Sequence, residues 1–181
     1  MSTPSPVPGG PAVQLMSLRI LVGALMASLV FITLALFFVL SGTDGAFEVT
    51  PVALAPVALG VVSHALATSV GYRVPAIAPG TPRARAEEVS RAAFQAATIL
   101  RFALTEVVAI VSIAAAFVVG SGGFTVYVVG ALVALGLVWW HCWPGERTFA
   151  RVQPRLERDG GESYLREAYG QPPAGGAVRR L

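Results

Sequence analysis

Four long apolar runs separated by short polar stretches dominate the hydropathy of this chain, and both ends are polar. The first run, Leu18 to Leu40, carries no charge after Arg19. As a helix it reaches about 34 Å, enough to cross a hydrocarbon layer of about 30 Å with some tilt. Ser41-Gly42-Thr43-Asp44-Gly45 ends it with turn chemistry. The second run, 51–70, opens on Pro51, whose missing N–H suits a first helical turn, and Pro56 is expected to kink it. Residues 71–91 form a polar connection with Pro75, Pro79 and Pro82, and its end, RAEEVSR, is expected to begin the next helix in water. The third run covers 94–119 and closes at Ser121-Gly122-Gly123; the fourth covers 125–143 and stops at Pro144-Gly145. The pattern predicts an all-α fold, an integral membrane four-helix bundle over residues 18–143. Residues 1–17 read as a disordered, Pro- and Gly-rich tail, and 144–181 as a polar, Arg-rich tail. Within that tail, 146–158 and 161–169 have the pattern of short helices, with Pro154 interrupting the first.

Composition agrees with a bilayer as the solvent. The chain is 55% hydrophobic and 13% charged, with mean hydropathy +0.68, against about 25% charged in soluble domains. That leaves too little polar surface to coat a globule. The charge sits in the connections and sets orientation. Loop 42–50 has Asp44 and Glu48 and no basic residue, loop 121–124 has no charge, loop 71–91 has four arginines and the C-terminal tail has seven. The excess of arginine faces the cytoplasm. The expected topology is therefore N-in/C-in, with two short external loops, in a bacterial inner membrane. Trp139, Trp140 and Trp143, with Tyr72, then fall at the inner interface, where amphipathic rings lie. The net charge of +3 is an orientation signal and does not point to nucleic acid as a partner. The expected partners are the lipid bilayer, anionic headgroups along the C-terminal tail, and a second copy or another membrane protein. Small residues four apart (Gly23/Ala27, Ala93/Ala97, Ser112/Ala116, Gly130/Ala134) let helices approach closely in any of these assemblies.

Glu106 is the residue that points to chemistry. Counted from Phe94 it lies about 18 Å into the layer, near the midplane. A carboxylate there costs at least about 2.5 kcal/mol; the escapes are protonation, a partner or a water-filled cavity. It reads either as a proton or cation site or as a protonated glutamic acid bonded between helices. Arg101 lies about 10 Å from the inner end of its helix, within snorkelling reach, and about 140° around the helix from Glu106. His64, some 9 Å from the inner end of the second span, can face Arg101 or lie below Glu106 as a His–Glu relay; bonded to a backbone carbonyl, it is purely structural. His141-Cys142 has no metal-ligand spacing and reads as an interfacial anchor. Neither a phosphate or dinucleotide loop nor a nucleophile–base arrangement is present, so no cofactor, metal or catalytic residue is expected. With one cysteine, no intrachain disulfide forms.

Residues 83–119, RARAEEVSRAAFQAATILRFALTEVVAIVSIAAAFVV, resemble the cytoplasmic loop and carboxylate-bearing helix of rotary ATP synthase c subunits, the proteolipids. By this resemblance Arg85 with Glu87 or Glu88 fills the loop, Ala103-Leu104-Thr105-Glu106 fills the motif, and Glu106 matches the ion-carrying carboxylate. The run 51–70 has the single internal glycine Gly60 and not the proteolipids' glycine-rich face. The resemblance therefore implies a c-like hairpin within a four-helix protein, not a rotor subunit. Two functions follow as expectations. One is binding or relay of protons or cations at Glu106, with His64 and Arg101 as candidate participants. The other is a non-catalytic membrane scaffold or assembly factor acting through helix packing and the basic tail.

Overall fold

The computed structural model describes residues 10–173. Its order is α1 (Pro11–Leu40), a 3-10 turn (Pro51–Leu54) running into α2 (Ala55–Ser69), α3 (Arg83–Val118), α4 (Gly123–His141), α5 (Glu146–Leu156) and α6 (Leu165–Ala168). Ala12–Leu40, Pro51–Ser69, Arg83–Val118 and Gly123–His141 are each long and apolar enough to cross a membrane. This is the pattern of an all-helical, multi-pass membrane protein.

Some boundaries differ from the hydropathy reading. Residues 11–17, expected as irregular tail, are the first turns of α1, because no breaker follows Pro11 and Leu15 and Leu18 are buried. Residues 1–9 and 174–181 lie outside the described residues. Both prolines fall in the first turns of the span, Pro51 opening a 3-10 turn and Pro56 at the start of the α-helix that follows. Arg85, Glu87 and Glu88, which the proteolipid likeness assigns to a loop, lie in the first two turns of α3. There Arg83 pairs with Glu87 at 2.7 Å and Arg85 with Glu88 at 2.8 Å.

The chain forms two compact units. One comprises 22–73 and 96–143, the four apolar helices. Its interior is layered. Val22, Val138 and Cys142 form one cluster, Leu29, Val108, Ala109 and Ala134 a second, and Leu36, Leu40, Ala116, Tyr127 and Ala131 a third. Bulky residues such as Phe31, Phe38, Val61 and Ile99 point outward. In hydrocarbon this is the stable arrangement, because lipid tails solvate them as well as another helix would, and helices hold by close contact instead. A Cβ added at Gly60 would lie 2.3 Å from Val133 Cγ1, and one at Gly130 would lie 1.9 Å from Ser112 Oγ. At the end where α4 begins, Gly122 adopts φ +73 and donates its N–H to Gly45 O at 2.7 Å. A side chain there would meet Glu48 O at 2.6 Å, so the turn requires glycine.

The other unit draws on 10–21, 74–95 and 144–173. Phe149, Val152 and Leu156 form the buried stripe of α5, and Phe149 stacks on Phe94 at 4.9 Å with Tyr169 closing the cluster at 5.7 Å. Thr148 starts α5 by accepting the Gly145 N–H at 3.1 Å. Pro154 sits inside the helix without ending it; the carbonyl it deprives, that of exposed Ala150, is free to bond water. Around this core Ile77 N–H donates to Leu156 O at 2.7 Å, and Ser90 Oγ donates to Ser163 O at 2.6 Å. Arg166, buried, makes a two-pronged pair with Glu146 at 2.6 and 2.5 Å. The expected basic tail is therefore in large part folded.

Two outcomes follow. Gly130→Val should lower bundle stability by about 1–3 kcal/mol through overpacking, seen as a fall in thermal midpoint in detergent. Gly23→Ala, with nothing within 4 Å, should not; equal losses would refute the close-contact account. The pH response of the second unit should come from Glu146. Arg166 beside it holds its carboxyl below the usual carboxylate range. The stabilisation is therefore fully present above the unfolded value of about 4.3 and is lost as pH falls through the lowered folded value. Hydrogen-exchange protection around Tyr169, corrected for intrinsic rates, should fall on acidification in the native protein. In Glu146→Gln that acid-linked loss should be absent.

Candidate functional site

Arg101 stands where α2 comes to its end. The helix finishes at Ser69, and Gly71 turns the chain so closely over α3 that a Cβ there would lie 2.5 Å from Arg101 Cγ. Arg101 is fully buried, at 0% exposure. Its Nη1 donates to Gly71 O at 3.1 Å and its Nη2 to Thr98 Oγ1 at 2.9 Å. The guanidinium carbon sits 4.3 Å above the Tyr72 ring. A desolvated cation over an aromatic face gains about 2 kcal/mol or more, and the carbonyl just past a helix C-terminus adds the negative end of the dipole. Snorkelling was the expectation for Arg101. It does not occur, because this pocket meets the charge from inside.

Holding the ring fixes the hydroxyl. Tyr72, 2% exposed, places its OH 3.2 Å from Nδ1 of His141, which is fully buried at the last residue of α4. Nε2 of His141 lies 3.0 Å from Nδ1 of His64, an exposed residue of α2. The two imidazole centroids are 4.9 Å apart. The result is a chain, Tyr72–His141–His64, with its inner end under a permanent positive charge and its outer end exposed.

A neutral imidazole donates from one nitrogen and accepts at the other, so the chain has two polarities. In the first, Tyr72 O–H donates to His141 Nδ1, His141 Nε2–H donates to His64 Nδ1, and His64 Nε2 carries the exposed proton. In the second every bond is reversed. Passing from the second to the first, a proton binds His64 Nε2, His64 Nδ1–H moves to His141 Nε2, and His141 Nδ1–H moves to the Tyr72 oxygen. The proton already on that oxygen must pass to an acceptor beyond the chain. One proton enters, one exits, and no group gains net charge.

Of the three residues expected from the sequence, the structure links Arg101 and His64 through one cluster and leaves Glu106 outside it. His64 is bonded to a second imidazole and not to a backbone carbonyl. Glu106 is half-buried, and among the described residues it makes no hydrogen bond or ion pair. It lies five residues beyond Arg101, about 7.5 Å further along α3. His141, assigned by its sequence context to an interfacial anchor, is instead the centre of the chain, and Tyr72 its terminus. The available signal was depth: His64, Tyr72 and His141 all fall near the same predicted end of their spans. No group of three His, Cys, Asp or Glu side chains suited to a metal ion occurs among the described residues.

Comparison with known proteins finds no matching family, no matching curated protein and no matching solved structure.

The Tyr72–His141 bond is open to a double-mutant cycle of Tyr72→Phe and His141→Phe in bilayer-like detergent. A coupling energy of about 0.6–1.7 kcal/mol is expected, the range for hydrogen bonds between membrane helices. Strict additivity would show that the contact contributes nothing.

Proposed function

We propose that the protein is a multi-pass inner-membrane protein that passes protons between the cytoplasm and its transmembrane bundle. The observation that carries this reading is the hydrogen-bonded Tyr72–His141–His64 chain, exposed at one end and buried under Arg101 at the other. The arginine-rich connections orient that end of the bundle toward the cytoplasm, so His64 exchanges with the cytoplasmic side. Arg101 sets a fixed positive charge over the inner end, which disfavours an excess proton resting on the chain there. Glu106, the next ionisable residue along α3, is the acceptor deeper in the layer. An intramembrane carboxyl without a partner is a functional group by default, and the proteolipid resemblance of residues 83–119 assigns it ion handling.

The second reading, a scaffold working through helix contacts, has support from the α1 face of Gly23 and Ala27. Nothing lies within 4 Å of Gly23, and Ala27 is exposed, so a helix of another chain can approach there.

Flux into proteoliposomes under a valinomycin-set potassium potential, read by an internal pH dye, separates the two. The native protein should acidify the lumen faster than empty vesicles. His141→Phe and Glu106→Gln should each slow this at least tenfold, and Glu106→Gln should also abolish labelling by a hydrophobic carbodiimide. Native vesicles no leakier than empty ones would end the proton reading and leave the scaffold in its place.

A further inference from the structure

We propose that His64 and His141 form a binding site for a first-row transition-metal dication of the zinc class, at the hydrogen bond that joins them. His64 Nδ1 and His141 Nε2 lie 3.0 Å apart, with ring centroids at 4.9 Å and planes inclined by 54°. Two imidazoles that share one tetrahedral ion, each bonded at about 2.0–2.1 Å, hold their nitrogens about 3.3 Å and their centroids about 5.2 Å apart. The pair found here is about 0.3 Å short of both separations. A proton and a metal ion compete for the same lone pairs, so the space between these nitrogens is taken by one or the other. The two residues are 77 apart along the chain, and no ligand spacing announces such a pair in the sequence.

The tautomers that the ion needs are those the hydrogen-bonded chain already uses. A ligating imidazole must present a deprotonated nitrogen. His141 does so at Nε2 when its proton sits on Nδ1 and donates to the Tyr72 oxygen. His64 does so at Nδ1 when its proton sits on Nε2. The first state belongs to one polarity of the chain and the second to the other. Loading the ion onto either polarity therefore takes one tautomer shift and releases no proton, and the Tyr72 hydroxyl keeps its own. A ligating histidine ordinarily donates its other ring N–H to an oxygen, which fixes ring and tautomer. For His141 that oxygen is the Tyr72 hydroxyl, 3.2 Å from Nδ1, on a ring held 4.3 Å from the Arg101 guanidinium carbon. One ligand is thus oriented before any ion arrives. The other, His64, is exposed and supplies the entry path.

The donor set selects the ion. Two neutral ring nitrogens suit zinc, copper or nickel, whereas magnesium and calcium require oxygen ligands. The Arg101 charge close by opposes any cation, so ions held by charge alone are excluded and those with a strong bond to imidazole nitrogen remain. Water completes the coordination, which makes the site open and exchangeable, unlike a closed structural site of four protein ligands. The site stands on geometry alone. Its effect on flux rests on the proton reading: a bound ion replaces the His141–His64 hydrogen bond and cuts the chain between its exposed end and Tyr72.

Untagged full-length protein in detergent is titrated with zinc chloride by calorimetry and with cobalt(II), whose visible d–d absorption reports nitrogen ligation. The native protein should bind a single ion per chain. His64→Gln, a change at an exposed position, should lower affinity at least about tenfold, and Tyr72→Phe, which removes the oxygen but keeps the ring, by about 10–100-fold. Cys142→Ser and Glu106→Gln should bind as the native protein does. Absence of saturable binding to the native protein would overturn the proposal. So would undiminished affinity in His64→Gln, or loss in Cys142→Ser with retention in His64→Gln. In proteoliposomes, zinc on both sides should slow proton entry by the native protein. Zinc that binds by these criteria yet leaves native flux unchanged would uphold the site and count against the proton reading.

Discussion

A buried guanidinium organises one end of the bundle. Arg101 has no access to solvent, and an unmet charge in hydrocarbon would cost several kcal/mol. The fold meets it with the face of Tyr72, the carbonyl of Gly71 and the hydroxyl of Thr98. Each partner has a structural consequence. The carbonyl pins the end of α2 against α3, and this works only because Gly71 lacks a side chain. The aromatic face holds the Tyr72 ring, and the ring holds its hydroxyl toward His141. Once His141 is engaged at Nδ1, its Nε2 points to His64. The Tyr72–His141–His64 hydrogen-bonded chain is thus a by-product of solving an electrostatic problem one helix away.

The remainder of the bundle follows from the poverty of driving forces between helices in lipid. Burial of apolar surface cannot pull two helices together when lipid offers the same contact, so fit decides. Gly60, Gly130 and Gly123 occupy places where a Cβ would lie 2.3, 1.9 and 2.3 Å from a neighbouring atom. Backbones approach there, and Val57, Val61, Val62, Leu66 and Leu132 of the same helices are left facing outward. The tight turn at Gly122, tied to Gly45, closes the opposite end of the bundle. A site of two imidazoles, a phenol and a guanidinium needs sub-ångström placement, and close helix contacts supply it.

The second unit shows how tertiary pairing sorts charges that look alike along the chain. Arginines 147, 151, 155, 158 and 166 are equivalent by composition, yet Arg166 is consumed by Glu146 and Arg158 by the Val74 carbonyl and Asp159. Arg147 and Arg155, at helical spacing on α5, are exposed.

The sequence by itself determined the solvent and the elements. Apolar runs with turn residues between them require transmembrane helices, because every backbone polar group must be satisfied within its own segment in hydrocarbon. Those runs appear as four helices, and RAEEVSR does open α3. The amphipathic pattern after Pro144 likewise appears as α5. Glu106 was legible because a carboxylate in an apolar run violates a strong local rule. Tertiary structure alone decided the site. His64, Tyr72 and His141 are separated by 69 and 77 residues in the pairs that matter, and no local rule is broken by a histidine beside a tryptophan cluster. Whether Arg101 snorkels or is buried depends on what faces it, and that depends on where Gly71 lets α2 end. Periodicity reports which residues share a face of one helix; it carries no information about which faces meet.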